Sequence, residues 1–437
     1  MSLQEAVSEA VTSNPRVEAA RASHRATEHV LRQSMGRFLP EINLRAEYGK
    51  QKIDRPEGLG PEVNNVWREP RQYTLSFKQV LFDGFDRAYD YYRSQARVSS
   101  ASYKILARSE AIALESIEAY IDVRRHLELS ELARENVRRH ERLYETIKAS
   151  FDGGKASIGD VHQTEERIEA AKSLVAQIAI ALESAKAKFR NAVGLEPEGL
   201  QRVGYATGLP GSSREVFEYA VANNPRIRAS QADVDVAGYD KQQFKSSLYP
   251  QLSVEGSTTK GEHLQGTPDR NDEMRAMLVL SWKLFDGGVR INRTLELSER
   301  EYEKVADHDA MLRDLRQDIE TSWARYSIGA SQVAALRRQV EQNEKLITTY
   351  LDEYNAGRRS LLDVLDAENT SFSSKFELSN VYSLQLYSSY QLIAQMGVLL
   401  DRLGIVPPAQ VEYYNSTLPG VAPVRNNRSF TIPPLGD

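Results

Sequence analysis

The tetrapeptide Leu81-Phe82-Asp83-Gly84 recurs as Leu284-Phe285-Asp286-Gly287, at an offset of 203 residues. Each copy combines an aspartate, which caps helices well, with a glycine that permits a tight turn, so each predicts the start of a helix. Proline is absent for more than 100 residues after each copy. Because proline interrupts helices, the sequence predicts that a very long helical region follows each tetrapeptide.

The duplication extends to both sides of this tetrapeptide. At the same offset, Gly154, Ser157, Asp160 and Val161 match Gly357, Ser360, Asp363 and Val364. At an offset of 210 residues, Asn14-Pro15-Arg16 matches Asn224-Pro225-Arg226, and Pro40 matches Pro250. The difference between the two offsets falls in a loop rich in proline and glycine at Asp54–Pro61, where insertions are tolerated. The sequence therefore predicts a first structural repeat at 1–203, a second at 204–404, and an irregular C-terminal tail at 405–437.

Each repeat is predicted to contain a short helix, a β-hairpin and two long helices. The spacings Ser2-x-x-Glu5 and Ser212-x-x-Glu215 are typical of capping boxes at a helix start. Apolar and polar residues then alternate, which predicts four strands, each with one apolar face. The alternation runs from Phe38 to Tyr48, from Tyr73 to Phe77, from Leu248 to Val254 and from Met274 to Trp282.

The long helices carry the spacing of a coiled coil. In the second repeat, apolar residues recur every seventh position at Leu312, Ile319, Tyr326, Val333, Val340 and Ile347. This spacing predicts supercoiling against partner helices. Gly153-Gly154 and Gly357 mark a helix-to-helix turn in each repeat, so the long helices are expected to be antiparallel. The fold class predicted from these patterns is α+β, with long antiparallel coiled coils and two hairpins.

Composition excludes several classes of function. No apolar run reaches the about 18 residues that a membrane-spanning helix needs. The net charge is −5, which gives no basic field for nucleic acid.

Catalysis, cofactors and metal sites are not expected. The Asp363/Asp366 pair lies on a single predicted helix without the opposing element of a glycosidase site, and the histidines lack zinc spacing. These are His24, His29, His126, His140, His162, His263 and His308.

The four predicted strands have a length suited to crossing a bilayer at a tilt, but four strands cannot close into a barrel. Open strand edges are not tolerated in lipid, so a membrane-spanning form requires oligomerisation, and a trimer would supply twelve strands. Pattern alone leaves an alternative open: the hairpins could be ordinary amphipathic sheets on a soluble coiled-coil scaffold or interaction protein.

The chain resembles the TolC family of outer-membrane efflux proteins. The resemblance covers residues 3–404 and rests on the Asn-Pro pairs, the two strand-end tetrapeptides and the segment Tyr354–Asp366. It implies a homotrimer with a 12-stranded barrel of four membrane-spanning strands per chain in outer-membrane lipid of Gram-negative cells, and an α-helical tunnel in the periplasm. It further implies an equatorial belt from Gly194–Ser213 and part of the tail after Gly404. The implied partners are a periplasmic adaptor (membrane fusion) protein and an inner-membrane ABC or proton-driven transporter.

The candidate gate lies at the turn between the last two long helices. Asp363 and Asp366 are three residues apart, so both carboxylates project from one helical face, and three chains would place them in rings. The resemblance implies that these positions form the periplasmic constriction, and that Tyr354 and Arg359 bond to the turn at Gly159 and Asp160 as a latch. At Gly159 such a bond would have to use the backbone carbonyl. On the residues alone, the aspartates could equally be a helix-capping pair, and Tyr354 a coiled-coil core residue.

The two hairpin loops are expected outside the cell. They span Gly49–Pro70 and Lys260–Arg270, and join the strands at the end away from the long helices. Cysteines placed at Gly58 and Gly266 would report this orientation.

Overall fold

The computed structural model describes residues 1–54, 64–266, 268–407 and 418. The helices of the first repeat are α1 (Leu3–Ser13), α2 (Pro15–Gly36), α3 (Asp86–Asp152) and α4 (Ile158–Val193). Those of the second are α5 (Ser213–Asn223), α6 (Pro225–Lys245), α7 (Val289–Asn355), α8 (Leu361–Gln395) and the short α9 (Leu399–Arg402). No helix in these described segments is both long enough and apolar enough to cross a membrane.

The chain forms two compact units. The helical unit is built from Met1–Ala22, Ser102–Arg228 and the described residues from Ala310 to 407. The sheet unit is built from the described residues of Ser23–Ala101 and Ala229–Asp309, with Leu418.

The duplication predicted from the sequence is present in the helices. The helices α3 and α7 are both 67 residues long, and their bounds differ by the predicted offset of 203 residues.

The two Leu-Phe-Asp-Gly tetrapeptides provide a glycine turn and an aspartate cap before these helices, as predicted. Gly84 and Gly287 have φ angles of 66° and 69°, in the region that favours glycine. The carboxylates of Asp83 and Asp286 accept hydrogen bonds from the backbone and the Nε of the arginine four residues on, Arg87 and Arg290.

Four of the described strands form an antiparallel sheet in the order β1-β4-β5-β6, and β2 and β3 form a separate two-stranded sheet. Their bounds are β1 (Glu41–Tyr48), β2 (Gln51–Lys52), β3 (Trp67–Arg68), β4 (Arg71–Phe82), β5 (Gln251–Glu262) and β6 (Arg270–Ser281). Strands β1 and β6 lie at the two edges of the sheet. Loop 53–66 of the first hairpin is longer than loop 263–269 of the second, as predicted, although Arg55–Pro61 of the expected insertion lies outside the described residues.

Two predicted strand starts were wrong. The first strand begins at Glu41 rather than Phe38, and the third begins at Gln251 rather than Leu248. Leu248 instead ends a 3₁₀ turn. In both cases the strand begins directly after a proline, Pro40 or Pro250, because a residue without an N–H cannot join the ladder.

Asparagines at equivalent positions tie the short helices to the long ones. The side-chain amide of Asn14 donates to Ala192 O, and that of Asn224 donates to Gln395 O. The predicted capping box is complete at Ser2 and Glu5 but not in the second repeat. There the Glu215 carboxylate accepts from the backbone N of Gly211 instead.

The segment predicted to form a belt packs on the helical unit. The hydroxyl of Tyr120 donates to Met1 O and Gln201 O, and that of Tyr390 donates to Gly204 O.

A buried carboxylate connects α3 to the short helix α9. The Glu110 carboxylate accepts from the backbone N of Leu399 and Leu400, and burial raises the pKa of Glu110 to about 7.

The tail can be followed at one position. The backbone N of Leu418 donates to the Tyr92 hydroxyl at 2.9 Å, in the sheet unit. This residue therefore contacts α3. The remaining residues expected to contribute to a belt from the tail, beyond 407, lie outside the described part of the chain.

Candidate gate at the helix-to-helix turns

Each long helical hairpin turns through the same backbone structure. Gly154 and Gly357 each have a φ angle of 74° and follow the ends of α3 and α7. The next residue closes the turn, because Lys155 N donates to Ser150 O at 2.8 Å and Arg358 N donates to Glu353 O at 2.9 Å. The two glycines were identified from the sequence, and their positive φ explains why glycine occupies them.

The aspartates that follow these turns cap the next helix. Ser360 Oγ accepts from Asp363 N at 3.3 Å, and the Asp363 carboxylate accepts from the backbone N and the hydroxyl of Ser360. Ser157 and Asp160 form the same capping box at the start of α4. The hydrogen bond from Ser360 holds the pKa of Asp363 below its usual range, so this carboxylate is ionised at neutral pH. Capping by Asp363 was one of the alternatives left open by the sequence, but the reciprocal role of Ser360 and the box at Ser157 and Asp160 were not predicted, although the Ser-x-x-Asp spacing indicates both.

Both candidate constriction carboxylates are accessible. Asp366 is exposed, and the Asp363 side chain is 43% exposed although it caps α8. They lie three residues apart in the first two turns of α8, while the intervening Val364 and Leu365 are buried. Capping by Asp363 is thus compatible with a position on an open surface, so the alternatives of cap and charged ring do not exclude each other.

Tyr354 lies close to the Asp160 turn. It packs against a buried cluster of residues from α3, α4 and α8. Burial and then the Asp160 carboxylate raise the pKa of Tyr354, which keeps the phenol protonated and able to donate. Tyr354 therefore packs on a coiled-coil core and lies within electrostatic range of Asp160, while its role as a latch stays a prediction. The structure places Gly159 one residue before Asp160, exposed in the first turn of α4.

Arg359 makes its contacts within its own turn. Its guanidinium pairs with Glu353 at 2.8 Å, lies 4.0 Å from the Asp363 carboxylate, and stacks over the Tyr350 ring at 4.1 Å from the centroid. In the single chain Arg359 thus contacts groups of its own turn, and its expected bond to the turn at Gly159 and Asp160 stays a prediction. The roles of Glu353 and Tyr350 were not predicted, because several carboxylates compete for one arginine and only the folded turn selects among them.

A second charged cluster links the two repeats. The Arg139 guanidinium on α3 lies 3.3 Å from Glu344 on α7 and 3.3 Å from Glu368 on α8. Lys375 also pairs with Glu344. Because these charges are partly buried, removing one partner would leave its counter-charge unpaired away from water, which is costly.

Comparison with known proteins identifies related chains over nearly the whole length. A sequence model of the family described as outer membrane efflux protein matches residues 6–195 and 216–398. The outer membrane efflux protein BepC of Brucella suis is 23% identical over 403 residues, which is 92% of this chain and 86% of that protein. The alkaline protease secretion protein AprF of Pseudomonas aeruginosa is 24% identical, over 89% of this chain and 83% of that protein.

Solved structures share the fold. A crystal structure of CusC superposes with a TM-score of 0.80 at 15% identity, covering 90% of this chain and 91% of that one. The outer membrane protein VceC of Vibrio cholerae superposes with a TM-score of 0.79 at 17% identity, covering 90% and 96% of the two chains. The likeness thus extends to both units.

Proposed function

This chain belongs to the outer membrane efflux protein family, and we propose that its α3–α4 and α7–α8 turns form the closed periplasmic mouth of a trimeric exit duct. Proteins of this family are channels rather than enzymes. They are trimers in the outer membrane of Gram-negative cells, extend into the periplasm, and work with an adaptor and an inner-membrane transporter. The chain is accordingly an outer-membrane exit duct for efflux or secretion.

The observation that carries the trimeric arrangement is the open sheet. Among the strands that the structure describes, β1 and β6 each pair on one side only. Their apolar side chains point into solvent, with Leu44 73% exposed and Met274 84% exposed. An edge of unpaired backbone groups is too costly in lipid, so further copies must supply the missing partners. We propose that β6 of one copy pairs with β1 of the next, and that three chains close a barrel of twelve strands.

The kinds of adaptor and transporter that we propose follow from the energy that transport requires. A passive duct performs no work on its cargo, so a membrane fusion adaptor docking at the helical turns and an ABC or proton-driven pump would drive transport. AprF is named for the secretion of a protease, which supports polypeptides as one class of cargo. Small molecules are the other class of cargo that we propose.

We expect the purified protein to require detergent, to run as a trimer, and to insert ion-conducting pores into planar lipid bilayers. The exposed apolar strand residues require detergent or lipid, and closure of the sheet requires other copies. Light scattering with correction for detergent measures the number of chains. A monodisperse monomer without detergent would instead support the scaffold alternative.

A second expectation concerns orientation. Of the two labelling positions chosen from the sequence, Gly58 lies outside the described residues, and Gly266 is a poor choice because it is buried with a φ angle of 84°. Asp269 is exposed in the same loop. We expect Asp269→Cys to react with a membrane-impermeant maleimide in intact cells.

The matched control for this labelling is Lys155→Cys, at an exposed position in the α3–α4 turn. It should react only after the outer membrane has been permeabilised. The chain contains no cysteine, so neither measurement has a background from this protein. Labelling of Lys155→Cys but not Asp269→Cys in intact cells would reverse the orientation.

A further inference from the structure

A polar cavity of about 580 Å³ lies on the helical unit, and all four long helices contribute to its walls. Cavities that bind small molecules have volumes of about 300 to 1,000 Å³. Ile121 of α3 and Leu384 of α8 add apolar surface between the polar groups. The volume and the mixed lining therefore suit a small organic molecule that has both an apolar and a polar part.

Two carboxylates line this cavity, and both are engaged by neighbouring groups. The Asp122 carboxylate pairs with Arg125 at 2.6 Å and lies 3.4 Å from Nδ1 of His126. The Glu118 carboxylate accepts a hydrogen bond from the Tyr387 hydroxyl at 3.3 Å. Burial and then the Glu118 carboxylate raise the pKa of Tyr387, so the phenol stays protonated and continues to donate. Both negative charges of the cavity thus already have partners.

Two cations of the cavity are not engaged in this way. Lys188 on α4 and Arg325 on α7 are exposed, and within the described part of the chain neither side chain forms an ion pair or a hydrogen bond. Lys186, two residues from Lys188, pairs instead with Glu183. Together with Arg125, Lys188 and Arg325 outnumber the two acids, so the cavity has a net positive charge.

We propose that this cavity binds a small organic anion, whose carboxylate groups contact Arg325 and Lys188 and whose apolar part contacts Ile121 and Leu384. A guanidinium binds a carboxylate through two parallel hydrogen bonds, and an ammonium group adds a compact positive charge. The Ser383 hydroxyl, which also lines the cavity, adds a neutral donor. A ligand rich in acceptors is therefore favoured over a cation.

The cavity lies on the face of α3 opposite to the segment 194–213. Tyr120 and Arg124 donate to backbone oxygens of that segment. Glu118 and Asp122, which line the cavity, are each two residues from Tyr120. Because side chains two residues apart on a helix point about 200° away from each other, the cavity and the segment occupy opposite faces.

The helix α8 shows the same division. Gln385 accepts from the Tyr205 hydroxyl, and Ser389 accepts from the backbone N of Ala206, whereas Tyr387 between them lines the cavity. When three copies close around an axis, the face that carries an added layer of chain requires the larger, outer circumference. The uncovered face, with the cavity, then lines the passage. This placement rests on the proposed exit duct, and it names organic anions as a class of cargo that contacts the wall.

The test of binding is titration calorimetry of the purified trimer in nonionic detergent with naphthalene-2,6-dicarboxylate. We expect this dianion to bind, and its affinity to fall about tenfold in Arg325→Gln and in Lys188→Gln, because each variant loses a charge-assisted hydrogen bond. The matched control is Lys186→Gln, which removes the same charge from α4 outside the cavity and should bind like the unchanged protein. The neutral naphthalene-2,6-dimethanol should bind at least tenfold more weakly than the dicarboxylate.

Planar bilayers test where the cavity lies. The dicarboxylate is added on the side of the hairpin loops, from which it reaches the cavity without passing the acidic mouth at Asp363 and Asp366. It should reduce the current of the unchanged pore and of Lys186→Gln, and Arg325→Gln should require about tenfold more of it.

The outcomes separate this inference from the proposed function. If the protein forms no pores, the exit duct fails, while the calorimetry still tests the cavity. Equal affinity of the unchanged protein, Arg325→Gln and Lys188→Gln for the dicarboxylate, or equal affinity for the neutral diol, would overturn the inference and leave the duct in place. Binding that depends on Arg325 but leaves the current unchanged would overturn the placement of the cavity in the passage.

Discussion

Replacing Asp363 and Asp366 together by asparagine should lower the cation-to-anion permeability ratio of the pore by on the order of tenfold, because charged constrictions concentrate counter-ions to this extent. Three chains would bring six carboxylates to the mouth. Both side chains are accessible in the structure. The reversal potential in a salt gradient across a planar bilayer measures the ratio. Asparagine still accepts the hydrogen bond that caps α8, so this variant removes charge and retains the cap.

The complementary control removes the cap and retains the charge. Ser360→Ala deletes the hydroxyl that accepts from Asp363 N, which should cost about 1 kcal/mol of stability. The selectivity of Ser360→Ala should be that of the unchanged protein. If the asparagine variant keeps full cation selectivity while its trimers remain intact, Asp363 acts as a helix cap only, and neither aspartate forms the constriction.

The helices were the most predictable part of the fold. Seven-residue spacing, the long absence of proline and the glycines at 154 and 357 determine where a coiled-coil helix can start and end. Ile319, Val333 and Ile347 of the predicted stripe are indeed buried. The internal repeat was equally informative, because each element of one copy supported its assignment in the other.

The strands were less predictable at their starts. The alternation of Phe38, Pro40 and Ile42 reports which side chains share one face, whereas the strand itself requires backbone pairing. Phe38 N instead donates to Met35 O in the turn that ends α2. An apolar pattern can therefore extend beyond the ladder, and a proline inside the pattern is the better marker of the first paired residue.

The candidate gate shows the limit of sequence reasoning most clearly. The spacing of Asp363 and Asp366 correctly placed both carboxylates in the first turns of one helix. The partner of Arg359 depends instead on how the turn folds, because the reversed chain returns Arg359 to Glu353. The partner across a chain boundary depends on assembly, which no local pattern encodes.

The latch is the last prediction and has the largest expected effect on conductance. Tyr354→Phe with Arg359→Ser should raise single-channel conductance, since both donors of the proposed latch are removed. Each lost hydrogen bond of about 1 kcal/mol would shift the balance between closed and open mouths roughly fivefold per chain. Recordings in planar bilayers at fixed voltage measure the effect.

The contacts of Arg359 in the structure provide the control for the latch. Arg359→Ser also breaks the pair with Glu353, so a rise in conductance could come from a loosened turn. Glu353→Gln weakens the same pair and leaves the guanidinium in place. If Arg359 acts as a latch, Glu353→Gln should conduct like the unchanged protein, because the arginine remains available to the Asp160 turn. Equal increases in Arg359→Ser and Glu353→Gln would instead show that turn rigidity closes the mouth. No increase in Tyr354→Phe with Arg359→Ser would remove the latch and leave the duct itself in place.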